Sequence, residues 1–156
     1  MTQAAKETAA HEKALHLEDI IEALRKYRPD ENVDQILAAY AFASKAHKGQ
    51  TRLSGEPYLS HPMEVANLLT RLNMDQVSIA AALLHDTLED TKTTVGELEE
   101  TFGKEITKLV EGLTKLARIR STSREERQAE NVRKMILATA DDIRIVLIKL
   151  ADRLHN

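Results

Sequence analysis

The chain has 156 residues, enough for one domain with a buried core. It has no cysteine, which excludes disulfides and thiolate metal sites and favours a cytoplasmic location. The net charge of −3 offers no general attraction for nucleic acid, and no apolar run approaches the ~20 residues of a membrane span. Aromatic residues are 3% of the chain against 42% hydrophobic, so the core must be built from Leu, Ile, Val and Ala. That composition favours packed helices, an all-α fold.

Taken in chain order, residues 1–16 read as a polar leader without the apolar run of a signal peptide, expected to lack fixed structure. Leu17 to Arg28 has helical periodicity and is stopped by Pro29. Asn32 and Gln35 form a capping-box pattern for a second helix running to about His47. "KGQTRLSGEPYLS" at 48–60 is the clearest irregular loop, with two glycines and a proline. Ser60 is placed to cap a helix beginning "HPMEVANLL", whose first turn tolerates Pro62. Asp75 is placed to cap the apolar helix that runs into "LLHDTLED" (83–90).

Further on, Thr94 and Glu97 form another capping box, and Gly103 marks a break. A helix to about Ala117 follows. Residues 118–124 are a polar, basic connection, and Lys115, Arg118, Arg120, Arg124 and Arg127 read as solvated charges that could also meet phosphates. Glu125 to Thr139 and Asp141 to Asn156 supply the last two helices. The β-branched run "IRIVLIKL" could form a strand, but its continuation into "ADRLHN" with helical spacing favours a buried helix. No internal repeat is visible, and residues 17–156 read as one domain.

The chemistry concentrates in "LLHDTLED". His85, Asp86, Glu89 and Asp90 put four ionisable groups in six residues beside an apolar run. On a helix, His85 neighbours Glu89, and Asp86 neighbours Glu89 and Asp90. Such a cluster repels itself unless a cation is present. Imidazole nitrogen with carboxylate oxygen suits Mn²⁺, Fe²⁺ or Zn²⁺, and an adjacent His-Asp pair can converge on one ion at a helix terminus. His61 at a helix start and Asp152 in an otherwise apolar helix complete an ordered set, His61, His85-Asp86 and Asp152. That order resembles the HD-domain phosphohydrolases. His11, His16, His47 and His155 read as surface or capping residues.

The resemblance goes further. "HKGQTRLSGEPYLSHPMEVA" (47–66), "ALLHDTLEDT" (82–91), "EGLTKL" (111–116), "QAENVRKM" (128–135) and "IVLIKLADRLHN" (145–156) follow in order. Together they closely resemble the N-terminal hydrolase domain of RelA/SpoT-type proteins, which make and degrade guanosine penta- and tetraphosphate. The resemblance implies a helical HD fold with one Mn²⁺ held by His61, His85, Asp86 and Asp152. It assigns Glu89 and Asp90 as the catalytic acidic pair, Arg52 as the residue packing on guanine, and Asn156 as a residue near the nucleotide. Ser54 and Tyr58 could hydrogen-bond the same nucleotide, and Tyr58 could equally pack the loop onto the core. Leu53 stands where the family commonly has lysine.

The resemblance also implies that the hydrolase pattern runs beyond Asn156. In a full-length parent it would be followed by a synthetase domain and regulatory domains. The expected activity is Mn²⁺-dependent hydrolysis of the 3′-pyrophosphate of guanosine tetra- or pentaphosphate, with no nucleic acid or membrane as partner. The alternatives are an HD phosphohydrolase acting on another nucleotide, against which "TRLSGEPY" argues, and a non-catalytic alarmone-binding or regulatory fragment.

Overall fold

The computed structural model describes residues 15–53, 55, 57–117 and 124–155. Among these, nine helical segments follow one another: α1 (Leu17–Tyr27), α2 (Asp34–Ala46), α3 (Ser60–Arg71), α4 (Gln76–Leu84), α5 (Thr87–Asp90), α6 (Val95–Phe102), α7 (Lys104–Ala117), α8 (Arg124–Asp141) and α9 (Ile143–His155). The all-α expectation is borne out, including helix rather than strand for "IRIVLIKL". No described helix is long and apolar enough to cross a membrane.

α4 is the hub. Every residue from Ser78 to Leu84 is buried, because α2, α3 and α7 pack around it and leave it no solvent face. That is why its sequence is apolar all round rather than amphipathic. The outer helices show the expected stripes. α1 buries Ile20 and Leu24, and α7 buries Ile106, Leu109, Val110, Leu113 and Leu116. The core is aliphatic throughout apart from Phe102, which meets the partly buried Phe42 edge to face.

Helix ends follow local chemistry, with two departures from the sequence reading. Asp75 caps α4 by accepting the Ser78 N–H at 3.0 Å, and Thr94 caps α6 by accepting the Glu97 N–H at 3.2 Å, as expected. Gly103 ends α6 at φ 87°, the left-handed conformation that glycine adopts without steric cost. Asn32, however, is not the cap of α2. The helix starts at Asp34, and Asn32 Oδ1 accepts the Asp34 N–H at 2.7 Å in a local turn that leads into it. Ser60 is not the cap of α3 either; the helix already includes it, after Leu59. His61 and Pro62 therefore lie in the first turn, where Pro62 forfeits only an N–H that would have had no helical partner.

α9 is positioned by two devices. A Cβ at Gly112 would meet Ile145 Cδ1 at 2.5 Å, so the glycine lets α7 and α9 approach closely. At its start, Arg144 reaches three carboxylates: Asp75 (3.1 Å), Glu105 (2.9 Å) and Asp142 (2.7 Å). This joins the starts of α4, α7 and α9. The buried positions of α9 are Ile145, Ile148, Ala151 and Asp152. Asp152 therefore belongs to the apolar stripe and is carried inward against α3.

Candidate metal centre

Helix α4 stops at Leu84, and α5 restarts at Thr87. The sequence places His85 to Asp90 on one helical face and asks for a helix terminus where His85 and Asp86 converge; the chain breaks at His85-Asp86, so the terminus is present and the single face is not. Thr87 stitches the break by donating its hydroxyl to the Leu84 carbonyl at 2.7 Å. The break lets two adjacent side chains converge. His85 Nε2 lies 3.2 Å from Asp86 Oδ2 and 3.3 Å from Asp152 Oδ1. His61, from the first turn of α3, places its Nε2 2.5 Å from the same Asp152 Oδ1. Ligand atoms of His61, His85 and Asp86 all lie within 4.8 Å of one another. Three of the four residues are buried: His61 (5% exposed), His85 (6%) and Asp152 (7%).

His85 Nδ1 lies 2.6 Å from the Ala82 carbonyl, which only accepts, so Nδ1 carries the proton and Nε2 faces the carboxylates. That Nε2 atom is buried and makes no hydrogen bond of good geometry. The electrostatics ask for positive charge. Burial pulls the His85 imidazole down, but the Asp152 and Asp86 carboxylates beside Nε2 outweigh it and raise it to about 10. Burial likewise opposes ionisation of Asp86 and Asp152, yet the imidazoles, joined at Asp152 by Lys149, hold both carboxyls below the ordinary range. A buried imidazole held that high marks a strongly negative pocket that either a proton or a metal ion can satisfy. Two imidazole nitrogens and two carboxylate oxygens fit a divalent ion of the Mn²⁺–Zn²⁺ type.

Lys149 and His155 belong to this centre and were not picked out by the sequence reading. Lys149 Nζ donates to Asp152 Oδ2 at 2.9 Å, leaving Oδ1 for the imidazoles. His155 Nδ1 lies 2.6 Å from His61 Nδ1, so the surface reading of His155 is corrected. Both residues are three positions from Asp152 on one helix, which is the signal that could have found them.

A hollow of about 220 Å³ lies against the centre, lined by Arg52, Tyr58, His61, Asp86 and Asp152. An antiparallel bridge between Thr51 and Pro57 closes the loop that carries Arg52. Leu53 is fully exposed at its tip. Ser54 and Asn156, both assigned to the nucleotide, lie outside the described residues, as do Arg118 and Arg120 of the basic connection. Of its other members, Lys115 and Arg124 are exposed.

Glu89 and Asp90 are not gathered with the ligands. They are exposed and line a neighbouring hollow of about 730 Å³ together with Lys45, Gln50 and Lys92. Tyr58 connects the two hollows, because its hydroxyl donates to the Asp90 carboxylate. Burial, that bond and the charges of Asp86 and Asp90 raise the phenol well above its usual value, so it remains a donor. His47, read from sequence as peripheral, is buried; it stacks on Tyr58 with centroids 4.3 Å apart and faces Gln50 Oε1 at 3.1 Å.

A family model described as "HD domain" matches residues 39–156. The chain belongs to the HD-domain family. The HD domain is 51% identical over 138 residues to the GTP pyrophosphokinase rsh of Brucella melitensis, covering 88% of this chain and 18% of that protein. It is 47% identical over 139 residues to the bifunctional (p)ppGpp synthase/hydrolase SpoT of Escherichia coli K12, covering 89% of this chain and 20% of that one. The chain thus spans about a fifth of the length of these relatives. A solved structure reported as a metazoan ortholog of SpoT that hydrolyzes ppGpp superposes with a TM-score of 0.66 at 28% identity, over 81% of this chain and 70% of that one. The resemblance to RelA/SpoT-type proteins read from the motifs is borne out.

Proposed function

We propose that this HD domain hydrolyses the 3′-pyrophosphate of guanosine tetraphosphate or pentaphosphate, using Mn²⁺ held by His61, His85, Asp86 and Asp152. The observation that carries the reading is the convergence of these four side chains from α3, the α4–α5 break and α9, beside a hollow edged by Arg52 and Tyr58. Support for the substrate comes from the relatives, one named a (p)ppGpp synthase/hydrolase and another reported to hydrolyze ppGpp. Such a substrate belongs to the cytoplasm.

A bound divalent ion supplies Lewis acidity, which polarises a phosphoryl oxygen and acidifies a water molecule. The protein's own groups do the rest. Asp86 and Asp152 are held as carboxylates by the imidazoles and Lys149, and are ready ligands near neutral pH. Arg52 lines the hollow, and the family motif assigns its flat guanidinium to stacking on guanine. Ser54 and Asn156 are assigned to the nucleotide by the family motif. Glu89 and Asp90 position the attacking water, and one of the two carboxylates takes its proton. As the new P–O bond forms, the bond between phosphorus and the ribose 3′ oxygen breaks. Pyrophosphate leaves, and the proton ends on the 3′ oxygen, regenerating the hydroxyl.

The test is pyrophosphate release from guanosine tetraphosphate with Mn²⁺ present or chelated, comparing the unsubstituted chain with Asp86→Asn. The expected result is release that needs both the ion and Asp86. Metal-dependent cleavage of GTP with none of the tetraphosphate would overturn the substrate assignment. An ion bound by the chain with no hydrolysis of any nucleotide would make it a binding module instead.

A further inference from the structure

His61 and His155 face each other across 94 residues of sequence with their Nδ1 atoms 2.6 Å apart. Their ring centroids are 4.8 Å apart and the planes diverge by 24°. The centroid separation is about the nitrogen–nitrogen distance plus one ring radius at each end. The two nitrogens therefore lie between the centres, edge to edge, and the rings are not stacked face on face. This is the geometry of an in-plane hydrogen bond. Two bare nitrogens cannot approach so closely, and neither can two N–H groups. One proton sits between them, and one ring donates while the other accepts.

Which ring donates is decided on the far side of His61. Its Nε2 points at the ligand cluster, 2.5 Å from Asp152 Oδ1, a contact that needs either a proton or a cation between the two atoms, and the metal-site reading supplies the cation. A neutral imidazole binds a metal through the nitrogen that lacks the proton, so a ligating Nε2 requires the proton on Nδ1. The Nδ1 proton then needs an acceptor in a partly buried setting, and the atom in front of it is His155 Nδ1. His85 shows the parallel arrangement, with Nδ1 spent on the Ala82 carbonyl and Nε2 turned to the cluster. Each histidine thus has an acceptor behind it: a backbone carbonyl for His85, a side chain for His61. Only the second can be changed by mutation.

We infer that His155 is a positioning residue that fixes the metal-binding tautomer of His61, by accepting the His61 Nδ1–H and leaving Nε2 bare toward the ion. His155 reaches this place because it lies one turn beyond Asp152 on α9, so one helix supplies both a ligand and the support of another ligand. The inference rests on the metal-site reading given above. His155 makes no contact with the substrate in this role.

The experiment uses the full 156-residue chain with Mn²⁺ for affinity and Zn²⁺, which is diamagnetic, for nitrogen-15 spectra of the imidazoles. His155→Leu keeps bulk and removes the acceptor; His155→Gln restores an acceptor oxygen. The expected result is Mn²⁺ affinity lowered about 10- to 100-fold in His155→Leu, the scale for losing an outer partner of a ligand, with substantial recovery in His155→Gln. The Zn²⁺-loaded unsubstituted chain should carry the His61 proton on Nδ1, in slow exchange that quickens in His155→Leu. If the unsubstituted chain takes up no ion, the metal-site reading fails and this inference falls with it. If it takes up the ion and His155→Leu matches it in affinity and in the His61 spectrum, only the role of His155 is overturned. Equal loss in the Leu and Gln variants would also overturn it, since packing and not acceptance would be at stake.

Discussion

The Tyr58 hydroxyl donates to the Asp90 carboxylate across 32 residues of sequence. The same aspartate accepts from Gln50 Nε2 through its backbone carbonyl at 2.9 Å, while Gln50 and Tyr58 both rest on His47. The loop that carries Arg52 is thus fastened at two points to the helix that carries the acidic pair. Asp90 is exposed, so this fastening and not burial decides where its carboxylate points. Tyr58→Phe keeps the ring against His47 and removes only the donor. Turnover should fall about tenfold with Mn²⁺ affinity unchanged, the lower end of what a lost positioning partner costs. Adding Tyr58→Phe to Asp90→Asn should cost little more, because both changes act on the same group. Fully additive losses would show that Tyr58 acts elsewhere, for instance on the nucleotide.

The metal centre also sets a pH dependence of stability in the metal-free domain. The His85 imidazole is raised from 6.5 to about 10, so the folded chain holds its proton more tightly than the unfolded chain. That contribution is fully present below pH 6.5 and is lost as pH rises toward 10. The lowered carboxyls of Asp86 and Asp152 act at the other end. Their contribution is present above the ordinary carboxylate range and is lost as pH falls below it. Thermal unfolding in chelator between pH 6.5 and 10 should therefore show a falling midpoint for the unsubstituted chain and a flatter one for His85→Gln. Mn²⁺ affinity should rise over the same interval, because the ion must displace that proton. Parallel pH profiles for chain and variant would show that His85 does not titrate in this way.

Much of this centre could be read from sequence because its residues violate the pattern around them. Asp152 stands on an apolar stripe and His85-Asp86 ends an apolar run, so each is conspicuous against its neighbours. The helix order was legible for the same reason, since the aliphatic spacing of α1, α4 and α7 leaves few alternatives. What escaped is what depends on tertiary placement. Nothing local distinguishes His155 from a solvated helix-end histidine until Asp152 is known to face α3. His47 looks peripheral until the loop folds Tyr58 back onto it. The break between Leu84 and Thr87 is legible only through the His85-Asp86 pair, which needs a helix terminus to converge, because "LLHDTLED" contains no glycine or proline to mark it. It is specified by side-chain bonds, such as Thr87 to the Leu84 carbonyl, and by the convergence around His85.

Arg144 gives a stability prediction remote from the chemistry. Its guanidinium bonds Asp75, Glu105 and Asp142, and Asp75 and Asp142 also accept backbone N–H groups at the starts of α4 and α9. Asp142 is held below the ordinary carboxyl range chiefly by its bond to Arg144. Arg144→Met would leave three carboxylates facing one another without the guanidinium that joins them. The site is partly open to solvent, so the cost should lie below that of a fully buried pair, at about 1–3 kcal/mol. Chemical denaturation would read it as a lower midpoint with an unchanged slope. A midpoint equal to that of the unsubstituted chain would show that the three helix starts are held by packing alone.

Glu89 and Asp90 allow catalysis to be separated from metal binding. Both lie on α5, just after the break, exposed and outside the cluster formed by His61, His85 and Asp86. Asp90 is anchored through all of its parts: its N–H donates to the Asp86 carbonyl at 3.0 Å, its own carbonyl accepts from Gln50, and its carboxylate accepts from Tyr58. Asp90→Asn preserves the backbone bonds and keeps one side-chain oxygen for Tyr58, so α5 should stay where it is. Glu89→Gln keeps the length and shape of the side chain and removes its charge. If these carboxylates handle the proton of the attacking water, either amide should lower turnover by about 10²-fold or more, the usual scale for a positioned acid or base. Mn²⁺ affinity should meanwhile stay close to that of the unsubstituted chain, since the ion loses no ligand. Titration of the ion and single-turnover hydrolysis on the same samples make the comparison. An amide that strips the ion along with the activity would instead place that carboxylate among the ligands. α5 would then have to swing toward His61 when the ion binds, and the two hollows would form one site.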